Sequence, residues 1–115
     1  MGKFALFVFN GDPMCFIHVL LNALDMKANG AEVGIVVEGA ATGLLPELEE
    51  GAHPLNKLWD QAKTAHLIAG VCQACAHKMG TLENAKSQGL AILNDMAGHP
   101  GMADFITDGY QIVTF

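Results

Sequence analysis

The sequence predicts a three-layer α/β domain built on a parallel sheet, and three observations predict it. Strand-like and helix-like segments alternate five times along the chain. The strand-like segments are continuously apolar, the pattern of a parallel sheet covered on both faces. The length, 115 residues, suits one domain over residues 1–115, and a hydrophobic content of 51% supplies its core.

Taken in order, Lys3 to Phe9 (KFALFVF) is the first strand. Asn10-Gly11-Asp12-Pro13 is a turn that caps a helix, with Asp12 as the cap and Pro13 near the first helical position. The helix runs over Met14 to Asn29, with Ile17, Leu20, Leu21, Leu24 and Ala28 at helical spacing, and Asn29-Gly30 ends it. Glu32 to Glu38 (EVGIVVE) is the second strand. The stretch from Gly39 to Pro54 is looser, with a short helix between Pro46 and Gly51. Leu55 to Lys63 is a helix presenting Leu55, Leu58, Trp59 and Ala62 on one face, and His66 to Val71 is the third strand. Helices follow within Ala74 to Met79 and over Leu82 to Gln88, the latter with Thr81 as N-cap. Gly89 to Asn94 is the fourth strand, Pro100 to Thr107 a short helix, and Tyr110 to Phe115 the last strand.

Composition removes several function classes. The net charge is -6, from twelve acidic residues and six lysines, with no arginine. Such a chain lacks the basic face that nucleic acid or an anionic membrane requires. No apolar run reaches the roughly 18 to 20 residues that span a bilayer. The N-terminal apolar run ends in a turn and reads as a strand, not as a signal peptide, and Leu6 breaks the myristoylation pattern. Charged residues are only 16%, which leaves apolar surface to bury against another subunit. The odd number of cysteines, three, is not a disulfide scaffold and points to a reducing cytoplasm.

The chemistry concentrates in Ala69 to Gly80 (AGVCQACAHKMG), where Cys72 and Cys75 stand at C-x-x-C spacing with His77 two residues on. Ligands of open parallel sheets collect at the carboxyl ends of the strands. That edge carries three segments: NGDPMC with Cys15, GAATG, and CQACAH. Structural zinc needs four ligands, and one knuckle plus His77 requires Cys15, His53 or His99 to complete the set; neither a metal nor a cofactor is expected. Thioredoxin chemistry places its motif after an early strand and a tryptophan, whereas this motif follows the third strand and a valine. Sulfur transfer needs one accessible, thiolate-prone cysteine on a loop, and this loop suits it. His77 and Lys78 are placed to add positive potential, and His77 is the general-base candidate by proximity. His53 is a weaker candidate base, His18 structural, His66 a strand-edge hydrogen-bonding residue, and His99 a solvent-exposed turn residue. The Glu47, Glu49 and Glu50 cluster reads as a solvated face and Trp59 as core or subunit interface.

These segments together resemble the DsrE/DsrF-like family of small sulfur-relay proteins, the TusD and YchN types among them. The resemblance rests on the opening strand followed by Asn10-Gly11-x-Pro13, the C-x-x-C-x(4)-G block from Cys72 to Gly80, and the closing YQIVTF. It implies a parallel five-stranded α/β/α sandwich, trimers or hexamers of like or paired subunits, and sulfur carried as a persulfide on a loop cysteine. The TusD-type pattern lands on Cys72 and the YchN-type pattern also admits Cys75, so the resemblance does not choose between them; Cys72, at the strand exit, is slightly favoured, with Cys75 then the resolving thiol. Where the family often carries arginine just before the loop glycine, this chain has Lys78-Met79-Gly80, which argues for a less depressed thiol pKa or a different donor or acceptor. The resemblance implies a sulfurtransferase-type carrier acting with sulfur donor and acceptor proteins. The competing reading is a non-catalytic oligomeric binding module with structural or metal-binding cysteines.

Overall fold

The computed structural model describes residues 2–115. The chain runs β1 (Lys3–Val8), α1 (Pro13–Ala28), β2 (Glu32–Val37), a 3-10 helix (Gly39–Leu44), α2 (Leu45–Leu48), α3 (Asn56–Thr64), β3 (Ile68–Cys72), α4 (Gln73–Lys78), α5 (Leu82–Ser87), β4 (Ile92–Leu93), α6 (Ala103–Thr107) and β5 (Tyr110–Thr114). The five strands form one all-parallel sheet in the order β4-β3-β2-β1-β5.

β1 lies between β2 and β5, with Lys3 opposite both Glu32 and Tyr110. Its apolar run is continuous because both of its faces are covered. Leu6 and Val8 join the core made with Phe16, Val19 and Leu20 of α1, and Ala5 and Phe7 join a second, smaller core. On that second face Phe7 meets Phe105 of α6 edge-on, with ring centroids 5.6 Å apart. α1 begins where the sequence places it: the Asp12 carboxylate accepts the Met14 N–H at 2.8 Å, and Pro13 opens the helix. Trp59 of α3 is fully buried against Phe16, and its indole N–H donates to Gln88 at 3.0 Å. Trp59→Ala removes this anchor and leaves a cavity in the core, so a loss of about 3–5 kcal/mol is expected by chemical denaturation.

Four features differ from the sequence reading. Gly39–Leu44 is a 3-10 helix, with the Thr42 hydroxyl donating to the Gly39 carbonyl at 2.8 Å. The fourth strand contracts to Ile92–Leu93, a short edge of the kind that discourages pairing with another chain. His66 precedes the third strand in a left-handed turn (φ 59°) and forms no part of the strand. Thr81 occupies the N-cap position of α5 but does not cap it; its hydroxyl donates to the Thr42 carbonyl at 2.9 Å, tying α5 to the 3-10 segment.

The helices divide unequally between the faces. α1 and α3 share their core with Ala76 of α4 and Ala85 of α5, while Phe105 of α6 packs on the opposite side. The chain therefore leaves β3 toward one face and the neighbouring β4 toward the other. This reversal opens a crevice between the carboxyl ends of β3 and β4, the place where open α/β sheets bind ligands.

Candidate thiol site

Cys72 is the last residue of β3 and the N-cap of α4, whose first turn contains Cys75. The Cys72 sulfur acts as the capping acceptor, taking the Cys75 N–H at 3.4 Å. The C-x-x-C spacing thus has a local reason: the helix turn that brings the third amide back to the cap also brings the second thiol beside the first.

A second loop supplies the histidine. After β4, Met96 and His99 form an isolated antiparallel bridge with reciprocal backbone bonds of 2.7 and 2.9 Å. The two residues between them, Ala97 (φ 52°) and Gly98 (φ 90°), are both left-handed, as a type I′ turn requires. The Gly98 carbonyl accepts the Ala74 N–H at 2.8 Å, fastening the turn to the start of α4. His99 Nδ1 is thereby set 3.1 Å from Cys72 Sγ and 3.7 Å from Cys75 Sγ. Glu38, the residue after β2, completes the group: one donor atom from each of Glu38, Cys72, Cys75 and His99 lies within 4.8 Å of the others.

The two thiols occupy unlike environments. Cys72 is fully buried, and burial pushes its thiol up to about 12; the Cys75 N–H pulls the other way, and Cys75 and Glu38 add to the rise. Its hydrogen has two acceptors, His99 Nδ1 and the Gly98 carbonyl at 3.7 Å. Cys75 is half-buried and opens into a pocket of about 450 Å³ together with His99, Lys78 and Met79. Glu38 is only 7% exposed, and its carboxyl is held above its ordinary value by burial, against the opposing charge of His99.

The remaining sequence candidates lie elsewhere. His77 is exposed, and no hydrogen bond connects it to either thiol among the described residues. It stands two positions after Cys75, about 200° around the helix, so proximity in sequence carries it away from the sulfur. Cys15, in the early part of α1, does not belong to the group of four. His53 accepts the Leu55 N–H at 3.1 Å and lines a separate concavity of about 680 Å³ that contains no cysteine. His18 is exposed on α1. From sequence His99 enters only as one of three residues able to complete a zinc set and is otherwise read as solvent-exposed, whereas it is half-buried against the thiols; Glu38, read as a strand end, was missed. No local signal announced His99, because Ala97-Gly98 is not one of the Asn-Gly or Asp-Gly pairs that mark a tight two-residue turn.

These features define a small parallel α/β protein with a paired-thiol site at the topological switch of its sheet. Residues 3–115 match the DsrE/DsrF-like family, and the chain belongs to it. It is 33% identical over 97 residues to the uncharacterized protein MJ0733 of Methanocaldococcus jannaschii, an alignment covering 84% of this chain and 77% of that one. It is 36% identical over 50 residues to an uncharacterized protein of Archaeoglobus fulgidus, covering 44% of this chain and 82% of the relative. Among solved structures, a conserved protein of unknown function from Bacteroides thetaiotaomicron, BT1422, shares the fold with a TM-score of 0.65 at 15% identity, over 98% of this chain and 94% of that one. No helix among the described residues is long and apolar enough to cross a membrane.

Proposed function

We propose that the protein is a sulfur-relay carrier in which Cys75 holds the transferred sulfur as a persulfide. The observation that carries this reading is the division of labour between the thiols: Cys75 opens into the pocket while Cys72 is sealed beneath it. In a member of a family generally related to sulfur relay, the accessible thiol is the one a donor protein can reach. The Cys75 thiolate attacks the outer sulfur of the donor's persulfide, the donor's S–S bond breaks, and the donor leaves as a thiolate. The proton that Cys75 gives up passes to His99 Nδ1, 3.7 Å away. An acceptor thiolate then removes the outer sulfur in the same way, and Cys75 returns as a thiolate that recovers the proton from His99. Lys78 at the pocket wall supplies positive potential to the anionic sulfur in both steps.

The partners of this cycle are a sulfur-donor and a sulfur-acceptor protein, and the working form is a homo-oligomer or a paired assembly of related subunits. The exposed side chains of Met14, Met96 and Ile106 offer apolar surface for such contacts. The test is intact-mass spectrometry of the reduced protein after incubation with a cysteine-desulfurase persulfide donor. One added sulfur per chain, removed by dithiothreitol, is the expected result. A mass that stays unchanged while Cys75 remains free to alkylate overturns the carrier reading.

A further inference from the structure

We infer that Glu38, Cys72, Cys75 and His99 form a mononuclear site for zinc, with two thiolates, one imidazole and one carboxylate as the four ligands. The inference goes beyond the sulfur-relay reading and does not depend on it.

The donor set is the first ground. Two sulfurs, a ring nitrogen and a carboxylate oxygen, one from each residue, lie within 4.8 Å of one another. Zinc takes this mixture of donors at tetrahedral sites, with Zn–S of about 2.3 Å and Zn–N or Zn–O of about 2.0–2.2 Å, which puts neighbouring ligand atoms roughly 3.3–3.8 Å apart. Of the separations from His99 Nδ1, 3.7 Å to Cys75 Sγ lies within that range and 3.1 Å to Cys72 Sγ falls just short of it. The ligands follow the carboxyl ends of three adjacent strands: Glu38 directly after β2, Cys72 at the end of β3 with Cys75 in the helix turn that follows, and His99 in the loop after β4 that is fastened to α4.

Glu38 is the second ground. A carboxylate that is 93% covered costs folding free energy unless it is paired or coordinates a cation. His99 is the charged group that offsets its burial. A divalent cation at the centre would neutralise Glu38 and hold both thiols as thiolates. The outer contacts fit as well. The Cys75 N–H already points at Cys72 Sγ, an amide-to-sulfur bond that would stabilise a metal-bound thiolate. The paired thiolates favour zinc over calcium or magnesium, which take oxygen ligands. Each ligand cysteine gives up its proton to solvent on binding, and no oxidation state changes.

The site departs from the sequence expectation of no metal because the C-x-x-C motif shows two ligands, His99 is one of three residues open to join them, and Glu38 joins only in three dimensions. Zinc and a persulfide compete for Cys75, so an occupied site is a closed one.

The test uses the full chain, freed of metal with a chelator and a reductant, and titrated with Zn²⁺ alone and with Co²⁺ alone. One zinc per chain is expected by native mass spectrometry. Co²⁺ is expected to give thiolate-to-cobalt charge-transfer bands in the near ultraviolet and tetrahedral d–d bands in the visible, all displaced by Zn²⁺. Cys75→Ser and His99→Ala should weaken zinc binding by more than the ~10–100-fold that loss of an outer contact costs. Absence of stoichiometric zinc, a cobalt spectrum without thiolate bands, or wild-type affinity in both variants overturns the site. The wild-type cobalt spectrum decides the matter even where a variant fails to fold.

Discussion

Cys75→Ser is expected to abolish sulfur loading, while Cys72→Ser loads to one sulfur per chain and keeps it longer than the wild type. Sequence alone slightly favours the opposite assignment, because Cys72 stands at the strand exit. The structure supplies two reasons to reverse it. A donor persulfide belongs to another protein and must approach its target in line, and Cys72 has no exposed surface on which to receive it. Its thiol, pushed up to about 12 by burial, also stays protonated through the physiological range, whereas the attacking species is the thiolate. What Cys72 can do is resolve. Its sulfur lies within 4.8 Å of Cys75 Sγ, close enough to attack the inner sulfur of a Cys75 persulfide as its proton passes to His99 Nδ1, 3.1 Å away. That step releases hydrogen sulfide and leaves a Cys72–Cys75 disulfide, balancing as one persulfide plus one thiol giving one disulfide plus H₂S. Removing Cys72 removes this route, hence the longer lifetime. The measurement is intact mass followed over time after removal of the donor, with peptide mapping of the modified residue. Loading that survives in Cys75→Ser and disappears in Cys72→Ser would return the carrier role to Cys72. Iodoacetamide gives an independent reading: native protein should be alkylated at Cys75, and at Cys72 only after unfolding.

The sheet was legible because its evidence is local. KFALFVF and EVGIVVE are continuous apolar runs that make sense only as strands covered on both sides, and Asp12-Pro13 is a helix start written in adjacent residues. The thiol pair was legible for the same reason, since one turn of α4 builds the contact between Cys72 and Cys75. His99 was not, because it reaches Cys72 across 27 residues of sequence, and the contact depends on where a two-residue turn is pinned to α4. A Gly98-His99-Pro100-Gly101 run reads as exposed loop by composition, and only the hydrogen bond from Ala74 to Gly98 turns it inward. Glu38 was hidden differently. An acidic residue closing a strand ordinarily turns to water. Here the chain continues at once into Gly39, whose left-handed φ of 54° starts the 3-10 helix over the sheet edge and leaves Glu38 beneath it. His77 misled because sequence distance is a poor guide on a helix, where positions two apart face different ways.

His99→Ala is expected to slow sulfur loading of Cys75 by about 100-fold, the lower end of what a positioned proton acceptor contributes. The fold should persist, because the turn that carries His99 is held by backbone bonds, Met96 to His99 and Ala74 to Gly98, which an alanine retains. A purely structural role would therefore leave the loading rate near wild type. The discriminating readout is chemical rescue: millimolar imidazole should restore part of the rate in His99→Ala and do nothing for wild type, because the pocket of about 450 Å³ beside Cys75 has room for the missing ring. His77→Ala is the matched control. His77 is exposed and outside the group of four, so its loss should leave loading unchanged. If His77→Ala proves the slow variant and His99→Ala the fast one, proton transfer runs along the outside of α4, and the arrangement of His99 over the paired thiols serves metal binding alone.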